Sequence, residues 1–353
     1  MEGILSNPAE SMRTLFCALA ANPERRLGYD FNKTRELADY PQQLRTKLES
    51  MLGLHVAPRH PQRFEMVGSE HADGFVRHLV RIEGRDGAVI PAYWLVPRIM
   101  GLPTPVLLAL HGHGPGKAVC AGASQDPQRN DVAPSGDRDF AAQAARRGYL
   151  VLAPDLRGFG EMTLPEALQT HRPSTCVEMS MRAIAAGKSL VGMRVLDLMS
   201  CVDWLLTRSE VDPSRIVCTG QSGGATFTVW ACAMDPRIAA AIPCCGFCTF
   251  QHAIMSIHHC PYNCVPGILD VCEFYDLAGL IAPRPLRVIA GAMDPIFPLD
   301  GVRKAVAMTR EIYAAAGAEH CVQLVVGPEG HRFYSQPLFD FLRDTFPISP
   351  RRS

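Results

Sequence analysis

The sequence lacks any continuous apolar run of membrane-spanning length, although 47% of its 353 residues are hydrophobic. A helix that crosses a bilayer needs about 20 consecutive, predominantly apolar residues, so we expect no membrane partner. The start of the chain also makes a poor signal peptide, because Glu2 stands where positive charge is expected and the apolar patch from Leu15 to Ala21 is short. These absences together predict a cytoplasmic protein.

An excess of charge of either sign is missing as well. The chain has 35 basic and 35 acidic residues, and its formal net charge is zero. Domains that bind nucleic acid usually carry a basic surface, so we expect no nucleic-acid partner. This equal number of basic and acidic residues suits a small, weakly charged substrate. It is also compatible with a homo-oligomer.

Regular cysteine spacing is a third absence. The 13 cysteines are odd in number and scattered through apolar segments, which is typical of buried, reduced thiols in a cytosolic protein. A zinc site built on paired C-x-x-C knuckles is the competing interpretation, but Cys245 and Cys248 form only one such pair. We therefore predict space-filling side chains, no metal and no cofactor for the group Cys244, Cys245, Cys248, His258, His259, Cys260, Cys264 and Cys272.

Apolar periodicity divides the chain into two parts. Leu37, Leu44, Leu48 and Leu52 recur near helical spacing, with charged residues between them. This pattern predicts an N-terminal helical extension over residues 1–60. We assign residues 61–353 to one larger domain, because strands and helices alternate along it.

The alternation predicts an α/β fold with a mainly parallel central sheet and helices on both faces. The first two strands are joined by the turn-forming residues 84–87 and should form an antiparallel edge. The predicted strands are 75–83, 88–96, 106–110, 149–153, 215–219, 238–243, 286–290 and 321–326. The predicted helices are 140–147, 190–206, 225–234, 300–316 and 337–344.

Three long connections interrupt the alternation, at about 115–138, 161–187 and 246–280. Long connections in compact domains are often lids or binding loops. Each follows a predicted strand and so starts at the carboxyl edge of the sheet, where open α/β sheets bind ligands. We expect insertions 161–187 and 246–280 to form a lid.

The strongest chemical signal is the run Gly220-Gln221-Ser222-Gly223-Gly224 between a predicted strand and a predicted helix. A strand–turn–helix of this kind raises a serine hydroxyl from the sheet, and small neighbours permit the sharp turn. A glycine-rich turn without chemistry is the alternative. The context favours Ser222 as a nucleophile.

A serine nucleophile needs a base that is oriented by an acid. Asp294 and His331 each follow a later predicted strand, so both can converge on Ser222. We predict that they are the acid and the base. Asp300 and Glu329 are the nearest rival acids.

Acyl transfer also needs donors for the developing oxyanion. His111-Gly112-His113-Gly114 follows an early strand, and we expect the main-chain N–H groups of His113 and Gly223 to form the oxyanion hole. A metal role for His111 and His113 is the competing idea. In the next loop, Asp155 and Arg157 are expected to tie down main chain near the site.

These motifs together resemble the α/β-hydrolases. The run 276–285 before the acid strand is similar to the branch of acetyl xylan esterase-like and dienelactone-hydrolase-like bacterial enzymes, and the resemblance covers about residues 64–346. It implies a Ser222–Asp294–His331 triad and no cofactor. Dienelactone hydrolases proper use a cysteine nucleophile, so Ser222 argues against dienelactone itself.

The expected activity is therefore hydrolysis of a small-molecule carboxylic ester through an acyl-enzyme. Cleavage of a lactone, amide or carbon–carbon bond by the same triad is the alternative, and a non-catalytic binding protein is the less favoured one. Bulky and polar residues share the two insertions. We expect them to roof a confined pocket that prefers acetyl to butyryl esters of a polar or ring-containing alcohol.

Overall fold

The computed structural model describes residues 8–21, 23–31, 39–58, 62–99, 101–123, 137–169 and 174–348. Leu37 of the predicted helical extension lies outside these ranges. So do parts of two predicted insertions, residues 124–136 and 170–173.

One mixed sheet is the centre of the fold. In the described residues its strands are β1 Phe64–Ala72, β2 Phe75–Glu83, β3 Val89–Pro97, β4 Thr104–Leu110, β5 Leu150–Pro154, β6 Val211–Gln221, β7 Ala240–Cys244, β8 Leu286–Gly291 and β9 Val322–Gly327. Their order is β1-β2-β3-β5-β4-β6-β7-β8-β9. The pairs β1–β2, β2–β3 and β3–β5 are antiparallel. The other pairs, β5–β4, β4–β6, β6–β7, β7–β8 and β8–β9, are parallel. The predicted α/β fold with a mainly parallel sheet is confirmed.

Helices lie on both faces of this sheet. They are α1 Pro8–Ala21, α2 Tyr40–Leu52, α3 Lys117–Cys120, α4 Phe140–Arg146, α5 Pro165–Gln169, α6 Cys176–Ala185, α7 Leu190–Leu205, α8 Gly223–Met234, α9 Ile268–Val271, α10 Phe274–Gly279, α11 Leu299–Ala315 and α12 Ser335–Thr345. Within the described ranges, every helix is too short or too polar to span a bilayer.

The buried strand β4 shows how the sheet separates two apolar cores. Its side chains alternate between the faces, as strand geometry requires. Leu108 and Leu110 join the core under α2, α7, α8 and α11, whereas Leu107 and Ala109 join the core under α4 and α12. Both faces are therefore covered, as expected for parallel strands.

The predicted antiparallel edge needs a correction. Strands β2 and β3 pair as expected, but β1 lies outside them and is the edge strand. Its side chains are exposed along nearly its whole length. A strand that buries neither face has no alternating apolar pattern, so β1 shows no period-two signal in the sequence.

Helix α2, which lies in the predicted N-terminal extension, packs on helices of the sheet. Leu44, Leu48 and Leu52 of α2 are buried in the same core as side chains of α7 and α8. The Tyr40 hydroxyl donates a hydrogen bond of 2.6 Å to the main-chain oxygen of Asp276 in α10. Helix α2 thus helps to hold the face of the sheet that carries α8.

Candidate active site

Ser222 lies on a sharp turn between β6 and α8. Its φ is 54° and its ψ is −121°, a conformation that a residue with a side chain rarely adopts. A Cβ on Gly224 would lie 2.2 Å from the Leu110 carbonyl oxygen, and a Cβ on Gly220 would lie 2.5 Å from the Gly224 carbonyl carbon. The expectation that small neighbours permit this turn is confirmed.

Asp294 and His331 are brought together by the adjacent strands β8 and β9. Asp294 follows the end of β8, His331 follows the end of β9, and the two strands pair in parallel. The His331 Nδ1 atom lies 2.8 Å from the Asp294 Oδ2 atom. The side chain of Asp294 is 1% exposed and that of His331 is 17% exposed, so solvent reaches the imidazole rather than the carboxylate.

The surroundings of Asp294 favour its ionised form. Burial raises the pKa of this carboxyl, but its hydrogen bond to His331 lowers it, and the net shift is downward. The main-chain N–H groups of Ile296 and Phe297 also donate to Asp294 Oδ1, at 2.9 and 3.1 Å. A carboxylate held at both oxygens can orient an imidazole and stabilise its protonated form.

The two rival acids are placed elsewhere. Glu329 is on the surface, and its Oε1 atom accepts a hydrogen bond of 2.7 Å from Arg332 Nη1. Asp300 is an exposed residue in the first turn of α11. Of these three acids, Asp294 is the one whose carboxylate contacts the His331 imidazole.

Ser222 and His331 face one cavity of about 230 Å³. Its apolar wall includes Val119, Cys120 and Phe140. Arg138 also lines it, and the buried Nε atom of this guanidinium has no hydrogen-bond partner among the described residues. The complete lining is His111, Gly112, His113, Gly114, Pro115, Gly116, Val119, Cys120, Arg138, Phe140, Gln221, Ser222, Ile296 and His331.

The expected roof is therefore placed differently from the prediction. The described lining comes mainly from the loop after β4 and from Arg138 and Phe140, rather than from insertions 161–187 and 246–280. The described parts of these insertions lie beside the site. Cys176 lies against His113, and Tyr262 lies against Gly223.

The loop after β4 packs directly on the serine turn. A Cβ on Gly112 would lie 3.3 Å from the Ser222 Cβ. Gly223 is the first residue of α8, and the first N–H groups of a helix have no acceptor within the helix. The fold thus brings the predicted donors, His113 and Gly223, to the same end of the sheet as Ser222.

The hydrogen bonds of the His111 side chain argue against a role as a metal ligand. Its Nδ1 lies 2.8 Å from the Gly112 carbonyl oxygen, and its Nε2 accepts a hydrogen bond of 3.0 Å from the Leu156 N–H. Burial lowers the pKa of this imidazole to about 4. Because both ring nitrogens are occupied, His111 is a neutral tie between two loops.

Asp155 anchors the loop after β4, as predicted. Its oxygens accept hydrogen bonds from the Lys117 N–H and from Lys117 Nζ, both at 2.7 Å. Arg157 acts differently from the prediction: its guanidinium binds the carboxylates of Asp197 and Asp86 rather than loop main chain. Arginine pairs well with carboxylates because its N–H groups form a planar fork.

Sequence reasoning missed Lys117, and it placed Tyr262 only among the bulky and polar residues of the expected lid. A Cβ on Gly223 would lie 2.3 Å from the Tyr262 hydroxyl oxygen, so this tyrosine packs closely on the start of α8. The Tyr262 ring also lies 4.3 Å from the guanidinium carbon of the buried Arg194. No local motif marks either residue, because their positions depend on contacts between distant segments.

Two groups in the described residues have ligand atoms close enough to hold a metal ion. One consists of Cys245, Asp294 and His331, and the other of His113, Cys176 and Cys260. The Cys and His residues of 244–272, which the competing zinc interpretation would need together, do not gather as a unit in these ranges, since Cys260 meets Cys176 from the other insertion instead. The absence of metal stays a prediction.

Comparisons with known proteins agree with this architecture. The model of the Abhydrolase family matches residues 19–315. A protein of Bacillus subtilis (strain 168) named as a hydrolase, YtaP, is 28% identical over 260 residues, which are 72% of this chain and 81% of that protein.

Two solved structures share the fold over nearly the full chain. One is described as an acetyl xylan esterase from Bacteroides fragilis NCTC 9343, with a TM-score of 0.77, 19% identity and 94% of each chain covered. The other is a glucuronoyl esterase from Solibacter usitatus, with a TM-score of 0.63, 14% identity and coverage of 91% of this chain and 96% of that one. At such identities the likeness concerns the fold.

Proposed function

Since the chain belongs to the Abhydrolase family, we propose that it hydrolyses carboxylic esters through an acyl-enzyme on a Ser222–His331–Asp294 triad. One observation carries the proposal: the Asp294–His331 hydrogen bond of 2.8 Å lies behind an imidazole that faces the same cavity as Ser222. The positive φ of Ser222 supports it further, because backbone strain is often found at reacting residues.

In this proposal His331 accepts the Ser222 proton while the hydroxyl oxygen attacks the ester carbonyl carbon. The tetrahedral intermediate collapses to an acyl-enzyme, and the alcohol leaves with the proton from His331. Water then attacks the acyl carbonyl carbon while His331 accepts a proton from it. The bond between the acyl group and Ser222 breaks, the carboxylic acid leaves, and His331 returns the proton to the Ser222 oxygen. Asp294 stays ionised and holds the imidazole through Nδ1, so that the opposite nitrogen is free for proton transfer.

The proposed oxyanion hole consists of the main-chain N–H groups of His113 and Gly223. The positive end of the α8 dipole favours negative charge at the same point. Asp155 and Lys117 support this hole indirectly, because their bonds hold the loop that carries His113. The side chain of His113 has no step in the mechanism.

We propose a short acyl group, roughly acetyl to butyryl, on a polar or ring-containing alcohol. The cavity volume of about 230 Å³ supports a small substrate, and its apolar residues suit a short acyl chain. Arg138 and the exposed His113 offer donors to a polar alcohol. The names of similar structures, an acetyl xylan esterase and a glucuronoyl esterase, agree with an ester of a carbohydrate.

A fluorophosphonate probe tests the serine chemistry before any substrate is known. The probe should label the protein at Ser222, as found by peptide mapping, and heat-denatured protein should stay unlabelled. Absence of labelling on folded protein would favour a binding protein of this fold. Labelling at another serine would move the nucleophile.

A panel of matched esters tests the substrate proposal. Acetyl, butyryl, octanoyl and decanoyl esters of one phenol, together with the corresponding lactone and anilide, give kcat/KM values that report differential transition-state binding. We expect the highest values at acetyl to butyryl. A steady rise through octanoyl would contradict the confined pocket, and faster lactone or anilide cleavage would contradict ester specificity.

A further inference from the structure

Two thiols from different insertions meet beside the proposed oxyanion loop. Cys176 begins α6 in insertion 161–187, and Cys260 lies in insertion 246–280. Their Sγ atoms lie 2.6 Å apart, although 84 residues separate them along the chain. No atom can sit between them at this distance, so the two insertions touch through sulfur.

Both thiols are held in place by their neighbours. The Thr175 N–H donates a hydrogen bond of 2.9 Å to the Gly158 carbonyl oxygen, which anchors the start of α6. Cys260 is held through Tyr262, whose ring packs against His113 and Arg194. The contact between the sulfurs therefore belongs to the packed structure rather than to a loose surface.

The surroundings favour a thiolate at this pair. His113 Nε2 lies 3.9 Å from Cys176 Sγ, and the N-terminus of the ten-residue helix α6 places its dipole at Cys176. Contact with Cys260 and hydrogen bonding to His113 and Ser174 lower the pKa of Cys176, against the effect of burial. Arg194, which is fully buried, lowers the pKa of Cys260 by its charge, although contact with Cys176 raises it overall.

An oxidant can reach the pair from one side. Cys260 is partly exposed and the neighbouring His113 is exposed, whereas Cys176 is buried. A reactive thiol next to a second thiol is the arrangement in which oxidation stops at a disulfide rather than proceeding to the irreversible acids.

We propose that Cys176 and Cys260 are a redox-active pair whose reversible disulfide joins the two insertions beside the active site. With hydrogen peroxide, one thiolate attacks a peroxide oxygen, the O–O bond breaks, and hydroxide leaves with the electron pair. The second thiolate attacks the sulfenic sulfur and expels hydroxide. Two thiols thus lose two electrons and two protons, and peroxide becomes two waters.

Thiol trapping and peptide mapping test the proposal independently of esterase activity. The full chain is treated with one equivalent of hydrogen peroxide or with oxidised glutathione, quenched with acid, alkylated and digested. We expect a Cys176–Cys260 cross-linked peptide that dithiothreitol removes. C260S should abolish it, as should C176S or C176A, whereas C264S, a matched change of an exposed thiol in the same insertion, should keep it.

Thermal unfolding gives a second measurement. A bond that closes a long loop restricts the unfolded chain, so oxidation should raise the Tm of the wild type by on the order of 5 °C and leave C260S unchanged. A cross-link from Cys260 to another cysteine, or sulfinic acid at either residue, would overturn the proposal. So would stoichiometric Zn²⁺ binding that needs both cysteines and blocks oxidation, because the group would then be a metal site.

Discussion

The two ends of the sheet differ in the direction of strand pairing, in burial and in the functional side chains that they carry. At the antiparallel end, β1 is exposed along nearly its whole length, and its cross-strand contacts include the ion pair of Arg77 with Glu70. At the parallel end, β4 and β7 are buried throughout. The carboxyl ends of parallel strands meet at one edge, so this end gathers Ser222, Asp294 and His331 from separate segments.

Strand direction rather than residue type therefore separates the end that carries the candidate active site from the end that does not. The antiparallel end carries a serine in direct contact with a histidine: Ser69 Oγ lies 2.6 Å from His78 Nδ1. That pair is exposed, and no carboxylate among the described residues forms a hydrogen bond with the His78 imidazole. Ser69 and His78 therefore provide control positions for the predictions about Ser222 and His331.

The largest expected effect comes from removing the two serines in turn. S222A should fold normally and lower kcat/KM for a short ester by about 10⁴-fold or more, because the attacking oxygen is gone. S69A should leave kcat/KM within about twofold. Near-normal turnover by S222A, measured on protein purified away from host esterases, would refute the assignment.

A second effect separates the acid from its rivals. D294N should lower kcat by about 10³- to 10⁴-fold with little change in KM, because the amide cannot hold the imidazole in the working orientation. E329Q and D300N, which change exposed carboxyls, should stay near wild type. A greater loss in E329Q or D300N would place the acid elsewhere.

The buried His111 predicts a pH dependence of stability. Burial lowers its pKa to about 4, whereas an unfolded histidine titrates near pH 6.5. The unfolded chain therefore binds the proton first, and stability is lost as the pH falls from about 6.5 to 4, by about 3 kcal/mol at most. Denaturant unfolding across this window should show the slope in wild type and a flatter one in H111Q.

The matched control for this slope is H71Q, at an exposed position on β1. We expect it to keep the wild-type slope. An unchanged slope in H111Q would mean that other groups dominate acid destabilisation.

Substitution of two glycines, one at each end of the sheet, should have a smaller effect on the free energy of unfolding. G224A should lower the free energy of unfolding by roughly 2 kcal/mol or more and impair turnover, because its Cβ would lie 2.2 Å from the Leu110 carbonyl oxygen. G68A on β1 meets nothing within 4 Å and should be close to neutral. Equal effects in urea unfolding would contradict the tight packing of the serine turn.

The smallest effect concerns Arg138 in the cavity. R138Q should raise KM for an ester of a polar or acidic alcohol by about tenfold, since one charge-assisted hydrogen bond is lost. The ester of an apolar alcohol with the same acyl group should change by less than about threefold. Equal losses on both esters would indicate that Arg138 supports the loop rather than the substrate.

Much of the fold was predictable because its signals are local. Buried parallel strands such as β4 and β8 are short apolar runs, and glycines flank the turn at Ser222. Strand β1 was missed since it buries neither face, and β6 starts earlier than predicted, at Val211, through polar residues at the sheet margin. The roof was misplaced because a loop's direction after a strand depends on contacts such as the Lys117–Asp155 pair.

The sequence alone determined the order of the proposed catalytic residues and their place after strands, because a strand–turn–helix and its small residues are properties of neighbours in the chain. Only the tertiary structure decided which carboxylate meets His331, which side chains line the cavity, and that Cys176 meets Cys260. These are contacts between segments far apart in sequence. Their geometry depends on how the whole sheet twists and packs, and no local pattern encodes that.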